Sequence, residues 1–202
     1  MSGSVCHGQG QGLCENCGQC NSGGFNLATC CSNFSNMLEF SKDLVKALGD
    51  LPSNQDFSVV HFASEVAIAD TLENANQAFK TIKTLKYTGG KTNLAGAIDS
   101  CQSTLDDASL SNRKNLMLLL TDGYPSLPSG NPEGVATNSA TKAKNRGTFI
   151  IPVFIEDPNS QNNQAAVNFL KNSISSDGSL FLADFTGLIA LQETVFDQVT
   201  CQ

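Results

Sequence analysis

The sequence holds no tryptophan, two tyrosines and two histidines in 202 residues. It has no GxSxG nucleophile elbow and no phosphate-cradling P-loop. The run Gly8-Gln9-Gly10-Gln11-Gly12 departs from GxGxxG and follows no strand, so a dinucleotide site is excluded. Neither His7 nor His61 stands beside a nucleophile motif, and the expectation is a protein that is not an enzyme. Charge is also scarce. Asp, Glu, Lys and Arg make up 15% of the chain, against roughly 25% in soluble domains. Twelve basic residues face nineteen acidic ones, a net charge of −7. That balance excludes nucleic acid and anionic membrane as main partners. The longest apolar run, Leu116 to Leu120, is too short to span a bilayer. Met1-Ser2-Gly3-Ser4-Val5 carries neither a basic nor an apolar stretch, so no signal peptide is visible.

What the chain does have is length for one domain, 40% apolar residues and eight cysteines. Six cysteines fall within the first 31 residues: Cys6, Cys14, Cys17, Cys20, Cys30 and Cys31. Such clustering points to disulfides in an oxidising compartment. The pair Cys14 and Cys17, with His7 near, also has the spacing of half a zinc site, and free thiols are a third possibility. Connectivity stays open, since six cysteines allow fifteen pairings. Cys201 stands alone.

Residues 5 to about 33 are rich in Gly, Cys, Asn and Gln, show no hydrophobic period and read as a loop. From Phe34 a helical stripe runs through Met37, Leu38, Leu44, Val45 and Leu48 to Gly49. Phe57 to Ala63 and Glu65 to Ala69 read as strands, and residues 74 to 85 as a helix. Tyr87 to Lys91 is a turn. A helix follows on Leu94, Ala97, Ile98, Cys101 and Leu105, which places Cys101 on a buried stripe. Asn115 to Leu120 and Phe149 to Ile155 are nearly all apolar, as strands covered on both faces are. Residues 133 to 146 and Ala165 to Leu170 read as helices, Leu180 to Leu182 as a short strand, and Leu188 to Val199 as a last amphipathic helix. His61 falls inside a strand and reads as structural. Strands alternating with helices predict an α/β fold with a mostly parallel sheet and helices on both faces. Ligands of such folds gather beyond the carboxyl ends of the strands.

Three polar places lie there. The strand ending at Leu120 runs into Thr121-Asp122-Gly123, and the loop Gly89-Gly90-Lys91-Thr92-Asn93 precedes a helix. Thr92 or Asn93 would also serve as that helix's N-cap. The third place is Ser2-Gly3-Ser4. Taken together and in this order, they resemble the metal-ion-dependent adhesion site of a von Willebrand factor type A domain. That site is written DxSxS, then Thr in a GGxT loop, then Asp in a TDG turn. Ser2 and Ser4 match the two serines, Thr92 the threonine and Asp122 the second aspartate.

The resemblance implies one domain over residues 1–202, Rossmann-like and doubly wound, with a Cys/Gly-rich insertion at about 5–33. It implies Ser2, Ser4, Thr92 and Asp122 as ligands of Mg²⁺, or of another divalent cation such as Mn²⁺ or Ca²⁺. Hydroxyls and carboxylates are hard donors suited to such ions. It further implies a protein ligand whose acidic side chain completes the coordination, in a secreted or cell-surface setting. The first Asp of DxSxS, and the apolar strand leading into it, would precede Met1, so the first central strand is expected to be missing. Phe57 to Ala63 and Asn115 to Leu120 would then be second neighbours, separated by roughly 9–10 Å, two inter-strand spacings. The alternative is a disulfide-stapled structural matrix domain whose metal site does not function.

Overall fold

The structure is a computed structural model that describes residues 27–53, 55–107, 113–156 and 163–200. Its elements follow the chain as α1 (Leu27–Gly49), β1 (Phe57–Phe62), β2 (Val66–Glu73), α2 (Ala75–Thr84), α3 (Leu94–Asp107), β3 (Asn115–Thr121), α4 (Pro132–Asn145), β4 (Thr148–Ile155), α5 (Asn163–Phe169), β5 (Phe181–Ala183) and α6 (Leu188–Thr200). A π-helical turn, Leu170–Ile174, prolongs α5. The alternation is the α/β pattern expected from the sequence.

The starts of α2 and α4 have a local cause. Asn74 caps α2 by accepting the Gln77 N–H at 3.1 Å. Asn131 caps α4 by accepting the Gly134 N–H at 3.0 Å, with Pro132 following it at the first helical position. The start of α1 corrects the sequence reading. The helix begins at Leu27, so residues 27–33 are helical backbone and not loop. Leu27, Cys31, Phe34 and Leu38 keep the three- and four-residue spacing of one stripe, a pattern that the polar residues around them obscure. Strand β2 is also longer than expected, reaching Glu73 and not Ala69. It is a mostly exposed edge, so its Asp70, Thr71 and Glu73 carry no burial signal, and backbone pairing with β1 sets its length.

Strands β3, β4 and β5 form a parallel sheet in that order, with Leu118 opposite Ile151 and Val153 opposite Phe181. Strand β4 is central and buried along nearly its whole length. Its side chains divide by the two-residue period. Val153 and Ile155 pack with Phe34, Phe40 and Leu44 of α1 and with Leu188 and Val195 of α6. Ile150 and Phe154 pack with Leu94 and Ile98 of α3, Ala136 and Ala140 of α4, and Phe169. In β3, Leu118 and Leu120 follow the first group, and Met117 and Leu119 the second. Helices thus cover both faces of the sheet. One buried polar bond joins the layers: Thr148 Oγ1 donates to Gln102 Oε1 at 2.7 Å, linking β4 to α3.

Strands β1 and β2 form a separate antiparallel pair, Phe62 opposite Val66. Among the described residues no strand joins β1 to β3. A cavity of about 1450 Å³ lies between them, lined by Val59, His61, Leu116, Leu118 and Leu120, with Leu44 and Leu48 of α1 and Ala97 and Cys101 of α3. As expected, β1 and β3 are not paired with each other among the described residues.

Candidate functional site

The loop between α2 and α3 binds the carboxyl ends of both β1 and β3. Gly89 and Gly90 sit at φ 63° and 106°, where only glycine is unstrained. Those two conformations bring the Lys91 N–H onto Ser64 Oγ at 2.8 Å and the Asn93 N–H onto the Ala63 carbonyl at 2.9 Å, just past β1. On the other side Thr92 meets the loop that follows β3. Its N–H donates to Ser126 Oγ at 2.9 Å, and its carbonyl accepts from the N–H groups of Ser126 and Leu127 at 3.0 and 3.2 Å.

The capping question left by the sequence is resolved by these contacts. Asn93 Oδ1 accepts the Gly96 N–H at 3.0 Å, so Asn93 is the N-cap of α3. The bonds at Thr92 use its backbone, and its hydroxyl takes no part in them. Thr92 is nonetheless only 2% exposed.

Asp122 follows the last residue of β3 and is 4% exposed. The turn that holds it closes through Thr121 Oγ1, which accepts the Gly123 N–H at 3.3 Å and lies 3.2 Å from the Gly123 carbonyl oxygen. Four positions on, Ser126 lies under Thr92. The structure thus brings the Thr92 loop and the Asp122 loop together at one end of the parallel sheet. Ser2 and Ser4 lie outside the described residues, as do Cys6, Cys14, Cys17 and Cys20 of the insertion.

The surroundings are built to hold these loops. Tyr124 stacks edge-on against Phe169 with ring centroids 5.6 Å apart. Its phenol is pushed up to about 12, first by burial and then by its bond to the Glu133 carboxylate. Beyond β5, Asp184 accepts from Thr186 Oγ1 at 2.8 Å and from the Gly187 N–H at 2.6 Å. Those bonds hold its carboxyl below the usual range and dedicate it to the turn into α6. Cys101 is a free thiol on the cavity wall, and burial pushes it up to about 11. His61 Nε2 lies 3.5 Å from Thr88 Oγ1, and burial lowers its pKa.

The donor chemistry of Thr92 and Asp122 fits a hard divalent cation: one hydroxyl and one carboxylate, both oxygen, both shielded from solvent. Among the described residues no three His, Cys, Asp or Glu side chains cluster as ligands of a metal ion. Sequence reasoning missed Ser64 and Ser126, which fix the loop that carries Thr92. Ser126 is 34 positions from its partner, and no local pattern marks it. Asn93 did leave a signal, three residues ahead of the N–H it caps.

Comparison with known proteins agrees with this architecture. The family model for the von Willebrand factor type A domain matches residues 31–194. Inter-alpha-trypsin inhibitor heavy chain H4 of Sus scrofa is 33% identical over 107 residues, a stretch that is 47% of this chain and 11% of that protein. This chain therefore spans a small part of the relative's length. Proximal thread matrix protein 1 of the mussel byssus superposes with a TM-score of 0.58 at 19% identity, covering 83% of this chain and 41% of that one. The manganese-loaded TRAP protein of Plasmodium vivax superposes with a TM-score of 0.57 at 22% identity, covering 77% and 63%. At those identities the two structures speak for the fold alone. The extent of the family match, with the strand order and the loops at the carboxyl edge, assigns the chain to the von Willebrand factor type A domain family.

Proposed function

We propose that this chain is a divalent-cation-dependent protein-binding module working outside the cell, and that it is not an enzyme. The observation that carries the reading is the joining of two loops distant in sequence. Thr92 and Asp122, both buried and both hard-oxygen donors, are held at one end of the sheet by the contact between Thr92 and Ser126. Ser2 and Ser4 would add two further hydroxyls to that donor set, for Mg²⁺ or for Mn²⁺ or Ca²⁺ in its place. When bound, such a cation supplies an electrophilic position for a carboxylate of a partner protein. The chain's own part is to hold the donors rigid and to keep the site poor in negative charge. The cysteine-rich start of the chain supports an oxidising, extracellular setting. No described helix is long and apolar enough to cross a membrane.

The test is titration of the protein with Mn²⁺ and with Mg²⁺, followed by calorimetry and by thermal denaturation. The expected result is a saturable rise in Tm that EDTA reverses and that Asp122→Ala removes. A cation response unchanged in Asp122→Ala would sink the reading, as would the absence of any response, which is the behaviour of a matrix domain with an idle site.

A further inference from the structure

Positive charge is spread unevenly along this chain. Between Glu73 and Asp99 there is no acidic residue, and Lys80, Lys83, Lys86 and Lys91 all fall in that stretch. It carries four positive charges in a chain of net charge −7, so the remainder carries −11. All four lysines are exposed. Among the described residues none of the four is ion-paired. Several other cations are committed. Lys42 pairs with Glu39, Arg113 with Asp56 and Arg146 with Asp106. Lys144 Nζ donates to the Ser173 and Ser175 carbonyls, each at 3.2 Å.

The backbone that carries the four lysines is anchored from below. Ala78 and Ile82 of α2 are buried, which turns Lys80 and Lys83, one helical turn apart, to the opposite side. At Leu85 the chain becomes extended. Side chains then alternate: Lys86 and Thr88 face out, while Tyr87 between them is buried edge-on against Phe34, ring centroids 5.8 Å apart. The Lys91 N–H is held by Ser64 Oγ at 2.8 Å, and the next residue, Thr92, is buried. Each ammonium group therefore extends from a fixed point, and the series leads from α2 to the loop of the candidate cation site.

We propose that Lys80, Lys83, Lys86 and Lys91 form a docking strip for an acidic segment of a partner polypeptide, lying along α2 and ending at the Thr92 loop. One exposed ion pair is worth little. Four unpaired charges on an anchored backbone steer an oppositely charged segment and fix its register. The length of the strip favours a peptide. A long polyanion such as a sulfated polysaccharide would run past it onto a surface whose remaining charge is negative, and a short acidic segment would not. The proposal names the partner for the protein-binding reading and rests on it. It does not rest on the cation, since an ammonium group has no lone pair to give a metal.

The probe is a fluorescein-labelled peptide of alternating Glu and Gly or Ser, about twelve residues long, or about 40 Å when extended. It is added to the full chain near 0.1 M salt, where charges more than about 10 Å apart are largely screened. The variant Lys83→Glu/Lys86→Glu is compared with Lys142→Glu/Lys171→Glu, which changes the net charge equally at exposed lysines elsewhere. The expected result is one-to-one binding by fluorescence anisotropy that persists in EDTA. It should weaken at least tenfold in the first variant and less than twofold in the second, and Lys83→Arg/Lys86→Arg should bind as the parent does. Equal weakening in both Glu variants would show that only net charge is read and overturn the proposal. So would no binding, or tighter binding of a sulfated oligosaccharide of equal charge, which would give the strip to a polysaccharide. Binding abolished by EDTA would also overturn it, placing the contact on the cation. Binding that persists in EDTA in a protein without any Mn²⁺ response would sink the cation reading and leave the strip standing.

Discussion

The backbone N–H of Thr92 donates to Ser126 Oγ at 2.9 Å, joining the loop before α3 to the loop after β3. The Thr92 carbonyl accepts in return from the Ser126 N–H, so the two residues exchange bonds in both directions. Removing the hydroxyl leaves one N–H without this partner. Ser126→Ala is therefore expected to cost about 0.5–1.5 kcal/mol of stability, read from chemical denaturation. If Thr92 ligates a cation, the same variant weakens Mn²⁺ binding while sparing the sheet, a pairing of effects that a variant elsewhere on the surface would not show.

Gly90 makes a sharper test of the same loop. Its φ of 106° disfavours any side chain, and a Cβ there would stand 2.6 Å from Ser64 Oγ, which holds the Lys91 N–H. Gly90→Ala should destabilise the protein by about 1–3 kcal/mol through backbone strain and loosen Thr92. Gly130, at φ 100° with open space around it, separates the two causes. Gly130→Ala should carry strain without the clash, and a loss as large as at Gly90 would show that the Ser64 contact adds nothing.

The buried bond between Thr148 and Gln102 sits far from the loops. Thr148→Val keeps the volume and leaves Gln102 Oε1 without its donor in a site where both residues are about 5% exposed or less. The expected cost is about 1–3 kcal/mol, seen as a lower denaturation midpoint at unchanged slope. Thr148→Ser, which retains the hydroxyl, should recover most of it. Equal losses in both variants would point to packing of the methyl group.

Cys101 gives the pH dependence. Burial raises its thiol to about 11 from an ordinary 9.0, so the folded state holds this proton more tightly than the unfolded chain. Its contribution to stability is complete below pH 9 and is lost as pH rises from 9 towards 11. Alkylation mapped by mass spectrometry should find Cys101 nearly inert at pH 8 and increasingly reactive towards pH 11. Cys101→Ala should remove its share of the alkaline loss. Fast labelling of Cys101 at neutral pH would contradict the burial.

Local pattern determined much of this protein. The apolar runs of β3 and β4, the stripes of α1 and α3, and the polar turns at Thr92 and Asp122 were legible because burial, periodicity and strand ends leave their mark within a few residues. The alternation of elements was enough to set the α/β class. The first turns of α1, residues 27–33, read as loop because the Gly, Cys, Asn and Gln around them hide the helical period. Tertiary structure alone decided the rest. It brought Ser126 under Thr92, chose Asn93 and not Thr92 as the helix cap, and paired Thr148 with Gln102 across 46 positions. It also placed β1 and β3 on the wall of one cavity. The physical reason is that a hydrogen bond or a cavity wall is a relation between segments brought together by packing. Periodicity reports which face of a segment is buried, but not which distant group meets it there.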